Sequence, residues 1–142
     1  MKLELKHLAP YLPYRLEVMD SDNNIDMCIG IKYWLGWDVV CDYEWGHSTK
    51  PLSSVKPILR PLSDLTKEIE HNGERFVPID ELRYTYSGFY IEFNGSLLIK
   101  SKNTHIYISI DWPNAIKEKL LEWHFDVFGL INEGLAIAKE PI

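Results

Sequence analysis

The sequence lacks the features that mark secreted and membrane-spanning proteins. Its opening stretch, MKLELKHLAPYLPY, mixes charged with apolar side chains and contains neither a continuous apolar segment nor a small-residue cleavage site. No apolar run elsewhere approaches the ~20 residues that a helix needs to cross a bilayer. These absences predict a cytoplasmic protein that has no membrane partner.

Cysteine is scarce, and the residue spacings of metal and cofactor sites are missing. Only two cysteines occur among 142 residues, and no CxxC pair is present, so a strong zinc signature is absent. Acidic and amide side chains alternate from Asp20 to Asp26 as in the first half of an EF-hand loop, but isoleucines replace the turn glycine and the closing glutamate. No GxSxG, GxGxxG or Walker-type loop is present. We therefore predict no metal, no cofactor and no motif-defined catalytic residue.

Basic residues are outnumbered, with 15 lysines and arginines against 21 acidic residues and a net charge of −6. A protein that follows a nucleic-acid backbone shows a basic stripe, so this balance argues against direct nucleic-acid binding. Three interpretations of the charge remain: it serves only solubility, it attracts a basic protein partner, or it imitates nucleic acid.

The composition is that of an ordinary globular protein, with 46% apolar, 25% charged and 13% aromatic residues. A chain of 142 residues is close to the commonest length of one domain. The proline-rich stretch from Lys50 to Pro61 is the only candidate linker, and its apolar residues favour an ordered connection. We therefore predict a single globular domain over residues 1–142.

Residues 27–45 alternate apolar and polar side chains in two runs, which predicts a β-hairpin with one buried face. The apolar positions are odd-numbered in both runs, so the strands match only across a loop with an odd number of residues, most simply 35–37. In this register Cys28 and Cys41 point to opposite faces, which excludes a disulfide between them. We therefore predict two structural thiols.

A three-stranded meander is predicted over residues 84–112. Asn94-Gly95 is the strongest hairpin signal in the chain, and Lys102-Asn103 marks a second turn. Two-residue turns at both places would give a core face formed by Tyr90, Leu97, Ile99, Ile106, Ile108 and Ile110. The opposite face would be more aromatic, with Phe89, Ile91, Phe93, Leu98, His105, Tyr107 and Ser109.

A short helix is predicted between these two sheet segments. Ser63 can cap its N-terminus, and the helix would run from Asp64 to His71. Asn72-Gly73 suits the left-handed position that ends a helix.

A long C-terminal helix is predicted over residues 113–132. Pro113 suits a first helical turn, and the apolar arc that follows is broad enough for burial. The expected fold class is therefore α+β, with an antiparallel sheet made of the hairpin 27–45 and the meander 84–112, packed by this long helix.

The outward face of the first hairpin is the candidate binding surface. It carries Asp38, Asp42 and Glu44 close together, and Trp34 and Trp37 extend it at the tip. Exposed aromatic side chains flanked by charge anchor many protein interfaces. The alternative is a solvated hairpin face whose two tryptophans fold into the core.

Two histidines support a second hypothesis, an enzyme whose pocket carries no recognised motif. His105 on the aromatic face, or His124 in the apolar arc, would act as a general base beside a carboxylate. The alternative for His124 is a buried ring whose nitrogen is satisfied by a nearby acceptor.

Three stretches are specific enough to compare with known families: HLAPYLPY at 7–14, KPILRPLSDLTKEI at 56–69, and LEWHFDVFGLI at 121–131 followed by GLAI at 134–137. They resemble recurrent segments of uncharacterised small proteins from phages and prophages of Bacteroidetes-type bacteria. The resemblance implies no known activity. It implies a protein that acts in the cytoplasm of a bacterial host cell, where small acidic phage proteins often bind and modulate one host protein.

The sequence therefore favours a non-enzymatic accessory protein, encoded by a phage or prophage, that binds a host protein. An inhibitor of a host or defence system, of the anti-CRISPR kind, is one such role. The alternatives are the small enzyme with a histidine and carboxylate pocket, and a structural component of a virion or mobile element. The oligomeric state is left unassigned.

Overall fold

The computed structural model describes residues 2–33, 35–43, 46–103, 107–108 and 112–140. The chain forms two compact units, the first made of Met1–Leu59 and Phe128–Lys139 and the second of Arg60–Val127 with the residues from Glu140. The single domain over residues 1–142 stays a prediction.

The described residues contain eleven strands, three α-helices and three 3₁₀ segments. The strands are β1 (Glu17–Met19), β2 (Ile25–Tyr33), β3 (Trp37–Tyr43), β4 (Gly46–Pro51), β5 (Lys56–Leu59), β6 (Ile69–His71), β7 (Glu74–Phe76), β8 (Phe89–Phe93), β9 (Leu97–Ser101), β10 (Tyr107–Ile108) and β11 (Ile137–Ala138). The helices are α1 (Leu5–Leu8), α2 (Pro78–Thr85) and α3 (Asn114–Glu122), and the 3₁₀ segments are Ala9–Tyr14, Leu52–Ser54 and Leu62–Thr66. Of the helices in the described ranges, none has the length and apolar character needed to span a membrane.

The first unit is built on a six-stranded sheet in the order β11-β5-β1-β2-β3-β4. Its neighbouring strands are antiparallel except β11 and β5, which are parallel. Its buried apolar side chains come from the sheet, the N-terminal segment and the C-terminal residues: Leu3, Leu8, Tyr11, Leu16, Val18, Cys28, Val39, Cys41, Leu52, Val55, Ile58, Leu59, Leu130 and Ala136.

The first hairpin is present as β2 and β3, and its loop lies one residue earlier than predicted. Tyr33 pairs with Trp37, so the three-residue loop is 34–36 rather than 35–37. The prediction of an odd-numbered loop is confirmed, because odd positions lie beside odd positions at this end of the hairpin.

A β-bulge changes the register lower in the same hairpin. Cys28 pairs with Cys41, whereas Gly30 pairs with Val40, so Ile29 is one extra residue on β2. Directly opposite residues of antiparallel strands share a face. Both cysteines are buried and free. The prediction that they point to opposite faces was wrong, because strict alternation fails across a bulge.

The second unit contains the three-stranded sheet β10-β9-β8, the two-stranded sheet β6-β7, and helices α2 and α3. The predicted fold class is therefore confirmed as α+β with mainly antiparallel pairing, but the hairpin and the meander belong to separate sheets. One apolar cluster fills this unit, and it comprises Leu65, Ile69, Ile79, Leu82, Ile91, Leu97, Ile99, Ile116, Leu120, Trp123 and Phe125.

The meander differs from its prediction in register. Phe93 pairs with Leu97, so the loop holds the three residues 94–96 rather than two. A shift of one residue exchanges the faces of a strand. Ile91, assigned to the outer face, is only 1% exposed, and Tyr90, assigned to the core, is 48% exposed. Four residues of this prediction lie outside the described residues: His105, Ile106, Ser109 and Ile110.

The predicted helix over 64–71 was wrong. The chain instead forms the 3₁₀ segment and then the β6–β7 hairpin. Asn72 and Gly73 have φ values of 51° and 83°, which suit the two central positions of a type I′ hairpin turn. The same dipeptide satisfies the positive φ that ends a helix, and this ambiguity explains the error.

The long C-terminal helix over 113–132 was also wrong, because α3 has nine residues and ends far earlier. His124 adopts a left-handed φ of 63°. Its N–H donates to the carbonyl of Leu121 at 3.0 Å, and the N–H of Phe125 donates to the carbonyl of Leu120 at 2.8 Å. This pair of bonds is the Schellman motif that closes a helix.

A buried arginine fixes the chain after this helix end. The backbone of Arg60 donates to the carbonyl of His124 at 2.7 Å and accepts from the N–H of Asp126 at 2.8 Å. Its side chain donates to the carbonyls of Trp123 at 3.0 Å and Glu70 at 2.7 Å. These contacts hold residues 124–126 beside Arg60, where Phe125 forms an isolated parallel bridge to it, and a continued helix could not follow this path.

Candidate functional site

The end of the β2–β3 hairpin exposes three large apolar side chains. Leu35 is 93% exposed, Tyr33 66% and Trp37 42%. The rings of Tyr33 and Trp37 meet edge to face, with centroids 5.1 Å apart and an interplanar angle of 60°. Edge-to-face packing is a favoured aromatic geometry, so the two rings support each other at the surface. We call these three residues the hairpin tip.

The backbone presents Leu35 at an energetic cost. Its φ is 60°, a left-handed value that is uncommon for residues other than glycine and asparagine. The left-handed conformation costs an L-residue about 1–2 kcal/mol. A leucine that is both strained and exposed contributes little to folding, and such positions suggest a functional constraint.

A groove of about 840 Å³ lies beside the hairpin tip within the first unit. Three segments line it: residues 2–6, residues 35–38 and residues 51–53. Leu3, Leu5 and Leu52 contribute apolar surface, and Lys2, Glu4, Lys6 and Asp38 contribute charge. The groove therefore combines apolar walls with charged side chains, as protein-binding sites do.

The two described acids of the candidate surface lie on one face of β3. Asp38 pairs with Lys32 on β2, and Asp42 pairs with His47 on β4. His47 Nδ1 is 3.4 Å from Asp42 Oδ1, and both side chains are largely exposed. Each acid thus has a basic side chain opposite it, so the face is mixed in charge rather than purely acidic.

The placement of the five candidate residues divides into two groups. Trp37 belongs to the hairpin tip, Trp37 and Asp38 both line the groove, and Asp42 lies farther along the outer face. Trp34 and Glu44 lie outside the described residues. Tyr33 and Leu35 were not predicted as site residues, although Leu35 lies in the predicted loop 35–37 and Tyr33 lies at the end of the predicted strand before it.

The acidic turn before β2 is held by a lysine. Lys50 Nζ lies 2.5 Å from Asp20 Oδ2 and 2.5 Å from Asp26 Oδ2. The Asp20 carboxylate also accepts the N–H groups of Asp22 and Asn24 at 2.9 Å. The Lys50 ammonium and these backbone donors lower the pKa of Asp20 to about 2. The two carboxylates, in turn, raise the pKa of Lys50. An EF-hand-like pattern therefore forms an ion-paired turn.

A second cleft, of about 580 Å³, lies within the second unit. Its aromatic wall consists of Phe76 and Trp123, whose ring centroids are 5.1 Å apart. Lys119 Nζ lies 3.1 Å from Glu122 and also over the Trp123 ring. Its other lining residues are His71, Asn72, Glu74, Arg75 and Glu81.

Of the two histidines singled out in the sequence, the structure describes His124 alone, and His124 is not among the described residues that line this cleft. His124 is buried, and its ring meets that of His71 at a centroid distance of 5.0 Å, so it packs behind the cleft residue. His105 lies outside the described residues. Within the part of the chain that the structure describes, no three His, Cys, Asp or Glu side chains form a group that could hold a metal ion.

Comparisons with known proteins add no family. No protein-family model matches the chain, and no curated protein or solved structure shows significant similarity to it.

Proposed function

We propose that this protein is a phage- or prophage-encoded accessory protein that binds one host protein in the bacterial cytoplasm and modulates or inhibits it. The hairpin tip and the adjacent groove form the binding surface in this proposal. The observation that carries it is the concentration of exposed Tyr33, Leu35 and Trp37 beside a groove with apolar walls and charged side chains.

Exposure of this kind is unfavourable unless a partner covers it. Burying a leucine or aromatic side chain contributes about 1.5–3 kcal/mol relative to leaving it in water. Tyrosine and tryptophan are enriched among the residues that dominate binding energies, and they favour the centre of an interface. A contiguous exposed apolar patch with a polar rim marks an interaction site more often than a solvated surface.

The polar rim suggests how the partner is oriented. Lys32, Asp38 and Asp42 lie on the outer face of the β2–β3 hairpin, and His47 lies opposite Asp42 on the neighbouring strand β4. Charged rim residues mainly affect the association rate and the choice of partner, and they contribute less to affinity than the buried centre. The binding energy is therefore assigned to the hairpin tip, and the specificity to the charges beside it.

The test is affinity capture from nuclease-treated host lysate with three baits. The baits are the wild-type chain, the tip variant Leu35→Asn/Trp37→Ser, and the control variant Tyr84→Ser. Asparagine tolerates a left-handed φ, so Leu35→Asn preserves the loop. Tyr84 is 86% exposed on α2 of the second unit, and it therefore matches the size and exposure of the tip residues.

We expect one host protein at near-stoichiometric yield with the wild-type and Tyr84→Ser baits, and its loss with the tip variant. Circular dichroism of all three baits checks that each is folded. Equal recovery of the host protein by the tip variant would show that the hairpin tip is not the binding surface. If a folded wild-type bait captures no partner, the proposal of binding in that host is refuted.

One observation favours an enzyme as a second candidate function. His71 shares the second-unit cleft with three glutamates, Glu74, Glu81 and Glu122. An imidazole beside carboxylates is the usual equipment of general acid–base catalysis. Turnover of a small-molecule library by the wild-type chain, abolished in His71→Ala, would establish this activity, and equal turnover by both would dismiss it.

A further inference from the structure

The two thiols of the chain lie face to face at the base of the hairpin. Cys28 and Cys41 are direct partners on the neighbouring strands β2 and β3. Both side chains are buried, and both are free thiols. The bulge at Ile29 makes this possible, because without the extra residue an even and an odd position would not share a face.

The backbone hydrogen bonds identify the type of pair. In a strand, the N–H and C=O groups of one residue point to the same edge. The N–H of Cys28 donates to the carbonyl of Leu16 at 2.8 Å, on the side of β2 away from β3. Cys28 and Cys41 therefore form a non-hydrogen-bonded pair of the β2–β3 ladder.

This pair type suits a disulfide. Non-hydrogen-bonded antiparallel pairs have Cα atoms about 4.5 Å apart and side chains closer together than the hydrogen-bonded kind. Disulfides span Cα separations of about 4.4–6.8 Å and Cβ separations of about 3.5–4.5 Å. Among the described residues, the Cys28 thiol makes one weak polar contact, 3.7 Å to the carbonyl oxygen of Gly30, and such a contact opposes its rotation toward Cys41 only slightly.

We propose that Cys28 and Cys41 are an oxidation site and form a cross-strand disulfide that locks the β2–β3 hairpin. This inference is independent of the proposed host partner. It assigns a covalent modification to the hairpin that carries the exposed tip.

The chemistry balances with a hydroperoxide as oxidant. One thiolate attacks a peroxide oxygen, the O–O bond breaks, and a sulfenic acid and one water result after protonation. The second thiolate then attacks the sulfenic sulfur, the S–S bond forms, the S–O bond breaks, and a second water leaves. Two thiols lose two electrons and two protons, and the peroxide is reduced to two waters.

Burial controls the rate of this reaction. Desolvation raises the pKa of the Cys28 thiol to about 11 and also raises the pKa of Cys41. The thiolate is the reactive form, so oxidation of the folded chain is slow at neutral pH and accelerates as the pH rises. A small neutral oxidant such as hydrogen peroxide suits a pair that is closed to solvent.

The decisive measurement is the equilibrium of this dithiol with oxidised glutathione, in the folded chain and in concentrated guanidinium. Alkylation of the free thiols, followed by mass spectrometry of the peptides, gives the fraction of molecules that contain the disulfide. A disulfide that fits the folded geometry and closes a loop of about 15 residues raises the folding equilibrium constant by roughly 100-fold. By linkage, we expect the folded chain to favour the disulfide roughly 100-fold more than the denatured chain.

The control variant Cys28→Ala/Ile29→Cys moves the thiol to the exposed bulge residue and keeps the loop almost the same length. We expect its folded state to show no preference for the disulfide. An equal or smaller equilibrium constant in the folded wild-type chain, or an equal folded preference in the control variant, would overturn the proposal.

Discussion

Replacing Arg60 by methionine tests whether this buried side chain stabilises the second unit. Arg60 is fully buried, and burial lowers the pKa of its guanidinium, an effect that nearby Asp64 opposes. Its side chain donates to the carbonyls of Trp123 and Glu70. Each hydrogen bond from a charged group contributes about 1.5–3 kcal/mol, so Arg60→Met should cost about 3–6 kcal/mol. This loss is a large part of the free energy of unfolding of a whole domain, which is typically about 5–15 kcal/mol.

The assay is urea denaturation followed by far-UV circular dichroism, with two companion variants. Arg60→Lys keeps the charge but lacks the forked donors that reach two carbonyls, so we expect an intermediate loss of stability. Arg75→Met removes an exposed arginine that pairs with Glu70 at 3.5 Å, and we expect a change within about 0.5 kcal/mol. If Arg60→Met lowers the free energy of unfolding by less than about 1 kcal/mol, the hydrogen bonds from Arg60 to Trp123 and Glu70 do not hold these two segments together.

Three further predictions concern single features of the fold and the surface. The double variant Asp38→Asn/Asp42→Asn should weaken partner binding, mainly through a slower association rate in surface plasmon resonance, and should change the melting temperature little, because exposed ion pairs contribute little to stability. An unchanged association rate would contradict the assignment of specificity to these charges. Because the pKa of Asp20 lies at about 2, below its ordinary 3.8, its stabilising effect is present above pH 4 and disappears as the pH falls toward 2. Urea titrations should therefore show a shallower acid loss in Asp20→Asn, and parallel pH profiles would count against the ion-paired turn. Gly73→Ala should cost about 1 kcal/mol because φ is 83°, whereas Gly88→Ala, at an ordinary φ, should not; equal costs in denaturation would dismiss the type I′ turn.

Sequence patterns were sufficient where a local rule decides the structure. Alternation predicted the first hairpin, and Asn94-Gly95 predicted the β8–β9 hairpin. The bulge at Ile29 and the three-residue loop at 94–96 were not predicted. Alternation identifies a strand, but it does not give the number of residues in a turn or a bulge. One residue of error in each place reversed which side chains share a face.

Tertiary contacts decided the features that no local pattern revealed. His124 ends a helix in a conformation that favours glycine, and the buried Arg60, 64 residues earlier in the chain, fixes the path that follows. The groove beside the hairpin tip was not predicted either, because its walls come from three segments that only the tertiary structure brings together. The sequence left both a surface and a core position open for Trp37, and the exposure of Leu35 depends on a backbone conformation that its residue type disfavours.

The affinity of the captured host protein for Leu35→Asn tests the central proposal most directly. Leu35 is almost fully exposed and asparagine tolerates its left-handed φ, so the substitution should leave the free energy of unfolding unchanged or raise it by up to about 1 kcal/mol. If the partner buries this side chain, the loss of about 1.5–3 kcal/mol corresponds to a Kd weaker by roughly 10- to 100-fold. Isothermal titration calorimetry gives the Kd, with Tyr84→Asn as the matched control. A Kd for Leu35→Asn that matches the control would contradict binding at the hairpin tip.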